Sequence, residues 1–167
     1  MQHELTKVDL QKMQDEIDYR KGTLRPKLIE QVQIARGFGD LSENFEYKAA
    51  KQEKNRNESR IRYLERMIRS AVVVSVESAE NTVGLFDTVT LWLEEEQEEE
   101  TVQLVTMLRQ DARNGRISKE SPLGKAIFGH HVGDRVLVEV NESVCYPVVI
   151  RAIKKGFDDD TMEIRAY

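Results

Sequence analysis

Residues 10–39 read LQKMQDEIDYRKGTLRPKLIEQVQIARGFG. Apolar side chains in this stretch recur at steps of three, four or seven, as they do on one face of an α-helix. They are Leu10, Met13, Ile17, Leu24, Leu28, Val32 and Ala35. The pattern predicts a long amphipathic helix whose apolar face needs a partner. Pro26 removes a backbone donor within it, so we expect a kink there rather than an end.

Two glycines, Gly37 and Gly39, follow this helix. Glycine adopts positive φ without strain, which suits a sharp reversal at a helix end. A second helix is expected to begin near Asp40 or Ser42, because both are good N-caps. Its late apolar seam consists of Ile61, Leu64, Ile68 and Ala71. The sequence therefore predicts an antiparallel helical hairpin, about 40 Å long if each helix has roughly 28 residues.

After residue 71 the sequence changes to β-branched alternation. Strands are expected within 72–76, 83–93, 101–108, 136–140 and 144–153. The glutamate-rich run 94–100 is predicted to be an exposed connection between two strands. Ser121 and Pro122 fit the N-cap and first position of a short helix over 123–128. The predicted fold class is α+β, with an antiparallel coiled coil over 1–76 and a small β-rich domain over 77–167.

Composition excludes several classes of protein. The chain has 167 residues, a net charge of -5 and one cysteine, Cys145. One cysteine cannot form an internal disulfide, and the spacing of Cys145 from His3, His130 and His131 does not match a four-ligand zinc signature. No apolar run approaches the ~20 residues that a membrane-spanning helix needs. We therefore expect a cytoplasmic protein that does not associate with membranes. We also expect a monomer.

Charge is distributed unevenly along the chain. Residues 1–76 hold 15 Lys and Arg against 12 Asp and Glu, whereas the remainder holds 10 against 18. The basic excess lies in 48–69, and its members nearest the hairpin turn are Lys48, Lys51, Lys54, Arg56 and Arg60. This basic stripe is either a surface for an anion such as RNA or the solvated face of an ordinary helix.

Two carboxylates, Asp40 and Glu43, lie three residues apart at the expected start of the second helix. This spacing is also that of a capping box, with Asp40 at the N-cap and Glu43 at N3. The alternative is metal binding, because Mg2+ prefers oxygen ligands and is often held by one or two carboxylates with phosphates and water. Two carboxylates do not complete such a site, so a metal role requires ligands from a partner.

The segment GDLSEN at 39–44, continued by Glu46, Tyr47 and AAK at 49–51, closely resembles a known tip motif. It is the tip motif of the Gre family of bacterial transcript cleavage and elongation factors. A second resemblance to that family lies in GRIS at 115–118, SPLGKA at 121–126 and GD at 133–134. Together the resemblance covers about residues 5–153.

This resemblance implies a coiled coil that enters the secondary channel of bacterial RNA polymerase. Such factors stimulate the polymerase's own cleavage of backtracked RNA and have no independent active site. By their places in the motif, Asp40 and Glu43 correspond to the acidic pair that helps hold the second Mg2+, which is shared with the polymerase. The basic stripe would attract the extruded RNA 3' end. Phe45 or Tyr47 would then stack on its bases or pack between the helices.

The resemblance also implies an FKBP-like carboxyl-terminal domain that docks at the channel rim, and we assign that docking to Ser121 and Pro122. A simple helix start is the alternative for these two residues. The main alternative function is a non-cleaving channel binder that modulates the polymerase, but the intact acidic pair favours cleavage. Peptidyl-prolyl isomerase activity is disfavoured, because the aromatic residues of this domain are few and scattered.

Three segments depart from the family pattern. Residues 109–113 read RQDAR where the family often has an acidic stretch with proline, and 6–9 read TKVD without the common Glu-Gly pair. Residues 154–167 extend past the usual end. The first departure predicts a different contact at the rim. The aspartates at 158–160 are expected to be solvated.

Overall fold

The computed structural model describes residues 1–39 and 43–166. The first of its two compact units holds residues 1–3 and 10–72, and the second holds 4–9 and 73–166. The fold class is α+β, as predicted, with a helical hairpin in the first unit and a mixed sheet in the second. Within the described residues, no helix is both long and apolar enough to cross a membrane.

The amino-terminal elements include two helical arms, of which the first is interrupted and the second is one continuous helix. In chain order they are β1 (His3–Leu5), α1 (Lys7–Tyr19), a π-helical segment (Arg20–Leu24), α2 (Arg25–Arg36), α3 (Phe45–Ser70) and β2 (Ala71–Val73). Apolar side chains buried in the first unit include Met13, Ile17, Leu28, Ala35, Ile61, Leu64 and Met67. The predicted seam residue Ile68 is only half-buried, and Met67 beside it is buried instead.

The first arm is irregular immediately before Pro26. Arg25 donates its backbone N–H to the carbonyl of Arg20, five residues earlier, and Pro26 lies in the first turn of α2. Proline has no N–H to donate and its ring crowds the preceding turn, whereas a π-helical turn is wider. The irregularity expected at Pro26 therefore takes the form of a π-helical segment.

A polar layer crosses the middle of the hairpin. Asn57 and Arg60 on α3 are only 2% and 5% exposed. Asn57 accepts a hydrogen bond from Arg20 Nη1 at 3.0 Å and donates to the Arg20 carbonyl at 3.3 Å. Arg60 donates to both carboxylate oxygens of Glu16, at 2.8 and 3.0 Å. Each buried polar side chain of this layer thus meets a partner on the opposite arm.

The second unit is built on a five-stranded sheet in the order β5-β4-β3-β7-β6. Its elements are β3 (Thr88–Leu93), β4 (Glu98–Val105), β5 (Arg116–Ser118), α4 (Pro122–Ile127), β6 (Arg135–Asn141) and β7 (Val144–Lys154). Two short 3-10 turns, Met107–Arg109 and Ala112–Asn114, lie between β4 and β5. Only the β4–β5 pair is parallel among the described pairings of this sheet.

Alternation along β3 buries one face of this sheet, with Val89, Leu91 and Leu93 in the core. Ile127 of α4 and Val138 of β6 join the same apolar cluster. Successive strand residues point to opposite faces, so the alternating pattern identified these strands but not their bounds. The strand predicted over 83–93 begins at Thr88, and the strand predicted over 101–108 is Glu98–Val105.

The glutamate-rich run is only partly a connection. Residues 94–97 form the turn between β3 and β4, and Gln97 has a φ of 55°. Glu98, Glu99 and Glu100 instead begin β4 and pair with residues of β3. The prediction was wrong for these three, because their backbones complete the sheet while their side chains stay exposed.

Arg109 lies at the centre of a buried charged cluster in the second unit. Its Nε donates to Asp9 Oδ1 at 2.8 Å, and its Nη1 lies 2.5 Å from Asp158 Oδ1. The same Nη1 donates to the carbonyl of Asp159 at 2.9 Å. The side chain of Asp158 is only 13% exposed, so the prediction of a solvated tail was wrong for this residue. The three segments that depart from the Gre pattern therefore meet at Arg109.

Candidate functional site

Backbone hydrogen bonds close the end of α2 at the hairpin turn. Gly37 donates to the carbonyl of Ile34 at 3.0 Å, and Phe38 donates to that of Ala35 at 3.2 Å. Gly39 has a φ of 127°, which favours glycine. Gly37 keeps a helical φ of -70°, so the sequence prediction overstated its part in the reversal.

The Asn44 side chain fixes the start of α3 and joins it to α2. Its Oδ1 accepts the backbone N–H of Tyr47 at 2.9 Å, which makes Asn44 the N-cap of α3. Its Nδ2 donates to the carbonyl of Ala35 at 2.6 Å. An amide can make both bonds because it carries a donor and an acceptor, whereas a carboxylate carries acceptors only.

Glu43 directly precedes this N-cap, and its side chain is exposed. The helix begins at Phe45, later than the start predicted near Asp40 or Ser42. Glu43 is therefore not at position N3, and the capping-box interpretation does not apply to it. Asp40 and Ser42 lie outside the described residues.

Tyr47 is held between cations from both helices. The Arg36 guanidinium lies 5.6 Å from the centre of the ring, and the Lys51 ammonium lies 6.0 Å from it. A hydrogen bond from Arg36 lowers the pKa of the Tyr47 hydroxyl, and the charge of Lys51 adds to this effect. Phe45, in contrast, is 81% exposed. Of the two aromatic candidates for base stacking, Phe45 is the one with the more open ring.

Part of the basic stripe lines a groove of about 390 Å³ on α3, hereafter the basic groove. Its lining residues are Lys48, Lys51, Gln52, Asn55, Arg56 and Ser59. Lys54 is half-buried and is not among them. Arg60 does not belong to an exposed stripe, because its side chain is buried against Glu16. The prediction was wrong for Arg60, whose charge neutralises a carboxylate inside the hairpin.

The described part of the tip does not hold a complete metal site. Across residues 1–39 and 43–166, no three His, Cys, Asp or Glu side chains lie close enough together to bind a metal ion. Glu43 offers one exposed carboxylate there. Any cation at this position must take further ligands from elsewhere.

The assigned docking residues, Ser121 and Pro122, start helix α4 in the second unit. The Ser121 hydroxyl accepts from the N–H of Gly124 at 3.1 Å and donates to the carbonyl of Ser118 at 2.6 Å. The predicted N-cap is confirmed, and Pro122 is exposed in the first helical turn. Ser121 thus rigidly positions an exposed proline, while the docking assignment itself stays a prediction.

Residues 3–73 match the family model described as transcription elongation factor, N-terminal. Residues 77–155 match the model described as transcription elongation factor, GreA/GreB, C-term. The chain belongs to the GreA/GreB family of transcription elongation factors. The tip residue Glu43 lies inside the first GreA/GreB match and Ser121 inside the second, whereas Asp158 lies beyond both.

Two GreA proteins are similar to this chain over most of its length, in agreement with the GreA/GreB assignment. Transcription elongation factor GreA of Geobacillus kaustophilus is 44% identical over 140 residues, covering 83% of this chain and 88% of that protein. GreA of Staphylococcus carnosus is 40% identical over 137 residues, covering 82% of this chain and 86% of that protein. The crystal structure of GreA factor homolog 1 from Thermus thermophilus is 27% identical, with a TM-score of 0.43, and covers 93% of this chain and 100% of that one.

Proposed function

We propose that this elongation factor enters the secondary channel of bacterial RNA polymerase and stimulates the polymerase's cleavage of backtracked RNA. The observation that carries the proposal is the exposed carboxylate of Glu43, next to an N-cap that joins both helices. Because Glu43 takes no part in a capping box, its carboxylate is available to a ligand. Asp40, three residues earlier in the motif, supplies the second carboxylate.

Mg2+ fits these two side chains, since it prefers carboxylate oxygens and often takes only one or two of them from a protein. A magnesium shell has about six positions, so polymerase side chains, RNA phosphate and water supply the others. When bound, the ion would lower the pKa of a coordinated water and stabilise charge at the scissile phosphate. Asp40 and Glu43 hold their side of the shell, and the factor has no independent active site.

The basic groove supports a role in attracting the extruded RNA 3' end. Lys48, Lys51 and Arg56 line one groove, and cations in such a groove neutralise phosphates and release counterions. Phe45 offers an open ring on which a base can stack, and the Lys48 ammonium lies 5.7 Å from its centre. This combination of exposed aromatic ring and neighbouring cations is typical of surfaces that bind single-stranded nucleic acid without sequence preference.

The second unit docks at the channel rim. Ser121 fixes the first turn of α4 through two hydrogen bonds, and Pro122 presents an exposed ring there. Lys119 also lies 4.1 Å above the ring of Phe128, just beyond α4. The factor acts as a cytoplasmic monomer that meets the polymerase through this surface and through the hairpin tip.

RNA cleavage in halted, backtracked elongation complexes with Mg2+ tests the proposal. The comparison is between the wild-type chain and a double variant, Asp40→Asn with Glu43→Gln. We expect rapid release of a 3' fragment with the wild type and a loss of about 100-fold with the double variant. Glu46→Gln is the matched control, because Glu46 is an exposed carboxylate in the first turn of α3. It should cleave as the wild type does.

Competition for the polymerase channel, measured in parallel, separates binding from cleavage. The wild type and the double variant should compete equally. If neither protein stimulates cleavage although both compete, the chain is a non-cleaving channel binder and the proposal is overturned. Equal cleavage by both would show that the two carboxylates do not hold the metal.

A further inference from the structure

The amide of Asn44 makes two hydrogen bonds that serve different purposes. The bond from Tyr47 N–H to Oδ1 caps α3, which is an interaction within one helix. The bond from Nδ2 to the carbonyl of Ala35 spans nine residues of sequence and connects two helices. Any of several polar residues can cap a helix, but only a side chain that also donates can make the second bond.

The second bond joins the two ends of the segment whose sequence contains the acidic pair. Residues 36–43 lie between its two ends, and Asp40 and Glu43 are both in that segment of the sequence. Glu43 is bonded covalently to Asn44, so the backbone of Glu43 is fixed at one end by a side chain tied to α2. The Ala35–Asn44 contact therefore restricts where the backbone of Glu43 can lie, and with it the region that its carboxylate can reach.

Loss of this bond should leave both helices folded. The Ala35 carbonyl also accepts from the backbone N–H of Phe38 at 3.2 Å, so it keeps one partner. Arg36 and Tyr47 provide a separate contact between the same helix ends, at 5.6 Å from guanidinium to ring centre. The effect of the Asn44 bond can thus be separated from the stability of the hairpin.

We infer that Asn44 is a positioning residue, whose bond to Ala35 holds the backbone next to Glu43 so that the Glu43 carboxylate is in place for Mg2+ in the polymerase complex. This inference rests on the proposed function. Mutation of residues that orient metal ligands typically costs tenfold or more in metal affinity or activity. Asn44 itself contacts neither metal nor RNA, and it acts through the backbone next to Glu43.

Two substitutions of Asn44 separate its cap on α3 from its bond to the Ala35 carbonyl. Asn44→Ser keeps a neutral oxygen that can cap α3, but its side chain is too short to reach the Ala35 carbonyl as well. Asn44→Ala removes both bonds. Asn44→Asp is unsuitable, because it would add a third carboxylate beside Glu43.

Two measurements on the free protein report the two bonds independently of any metal. Hydrogen exchange at the Tyr47 amide reports the cap, and the 15N order parameter of the Glu43 amide reports the order of the turn. We expect Asn44→Ser to retain slow exchange at Tyr47 but to lower the order parameter of Glu43. Asn44→Ala should change both, with exchange at Tyr47 about fivefold faster. Unchanged order at Glu43 in both variants would overturn the inference.

The Mg2+ concentration for half-maximal cleavage completes the test. Both variants should need about tenfold more Mg2+ than the wild type while competing equally for the polymerase. If the wild type cleaves and Asn44→Ser needs no more Mg2+ than it, the inference fails and the proposed function stands. If the wild type itself does not stimulate cleavage, the proposed function fails, and the free-protein measurements still decide whether Asn44 orders the turn.

Discussion

Arg109 donates a hydrogen bond from Nε to Oδ1 of Asp9 at 2.8 Å, and both side chains are fully buried in the second unit. The two residues are 100 positions apart in the sequence. Asp158 also pairs with this guanidinium, and the ring of Phe86 lies 5.1 Å from it. One arginine therefore ties the start of α1 to a carboxyl-terminal segment that lies beyond the GreA/GreB matches.

Removal of this arginine should be costly. Arg109→Ala leaves Asp9 buried without a countercharge, and we expect a loss of about 3–5 kcal/mol in the free energy of unfolding. Arg56→Ala, which breaks the exposed ion pair with Glu53, is the control and should cost less than about 1 kcal/mol. Urea denaturation measures both. Equal losses for the two variants would contradict a structural role for the buried cluster.

The pair of Glu16 and Arg60 predicts a pH dependence. Burial raises the pKa of Glu16, but the hydrogen bonds and charges of Arg60 and Arg20 together outweigh burial and hold the pKa below its ordinary value of 4.5. Such a carboxylate stabilises the fold above its unfolded pKa, and the contribution is lost as the pH falls through the folded value. Glu16→Gln should cost about 1–2 kcal/mol at neutral pH.

That cost should shrink as the pH falls below 4.5, and urea denaturation at several pH values follows it. The matched control is Glu53→Gln, because Glu53 and Arg56 form an exposed pair on α3, with side chains 60% and 68% exposed. Its effect should be small at every pH. A Glu16→Gln cost that did not change on acidification would contradict the assigned role of the polar layer.

Two glycines provide a test of backbone packing. A Cβ on Gly156 would lie 1.8 Å from the carbonyl oxygen of Phe86, so Gly156→Ala must displace backbone. We expect it to cost about 1–3 kcal/mol or more, as overpacking does. A Cβ on Gly22, in the π-helical segment, meets nothing within 4 Å. Gly22→Ala should be neutral or stabilise by about 0.5–1 kcal/mol. Thermal denaturation that ranked the two in the opposite order would contradict the packing around Gly156.

The basic groove predicts a change in salt dependence. Affinity for backtracked complexes should fall with rising salt, and the slope of log affinity against log salt concentration measures this. In a triple variant with Lys48→Gln, Lys51→Gln and Arg56→Gln, the slope should become less steep by about 2–3, one for each lost phosphate contact. Lys27→Gln, an exposed lysine on α2, is the control and should leave the slope unchanged. A triple variant with the wild-type slope would show that the groove does not meet RNA.

The docking assignment predicts a separable loss of affinity. Pro122→Ala removes an exposed ring but keeps a residue compatible with the first turn of α4. Affinity for the polymerase should fall about fivefold while the melting temperature stays the same. Lys125→Ala, at an exposed position in the same helix, should have little effect. Normal affinity of Pro122→Ala in a competition assay would reject the assignment.

Local signals explain what could be predicted from the sequence. Heptad-like spacing indicated the hairpin, and Ser121 followed by Pro122 indicated the start of α4, because each signal is contained in one turn or one face. Three residues in the tip sequence are favoured at N-cap positions, namely Asp40, Ser42 and Asn44. Propensity alone does not choose among them. Asn44 is the observed N-cap, and it also bonds to the carbonyl of Ala35 on the other helix.

Long-range partners explain what the sequence did not predict. The burial of Arg60 depends on Glu16, which is 44 residues away in the sequence. Arg60 was therefore wrongly included in the exposed basic stripe. Asp158 appeared to be a tail residue because its partner, Arg109, lies in a distant turn. Charged residues are usually exposed, so the sequence predicted that these were exposed too. Their burial in ion pairs depends on partners that only the folded structure brings together.

Electron paramagnetic resonance, which counts the Mn2+ ions bound to halted, backtracked polymerase complexes, tests whether Asp40 and Glu43 hold a metal ion. Mn2+ replaces Mg2+ at oxygen-rich sites, and each factor is added at a concentration that saturates the channel. If Asp40 and Glu43 hold a metal ion, one more tightly bound ion is expected with the wild-type chain than with the Asp40→Asn, Glu43→Gln double variant. Equal numbers of bound ions, with both factors in place, would contradict it.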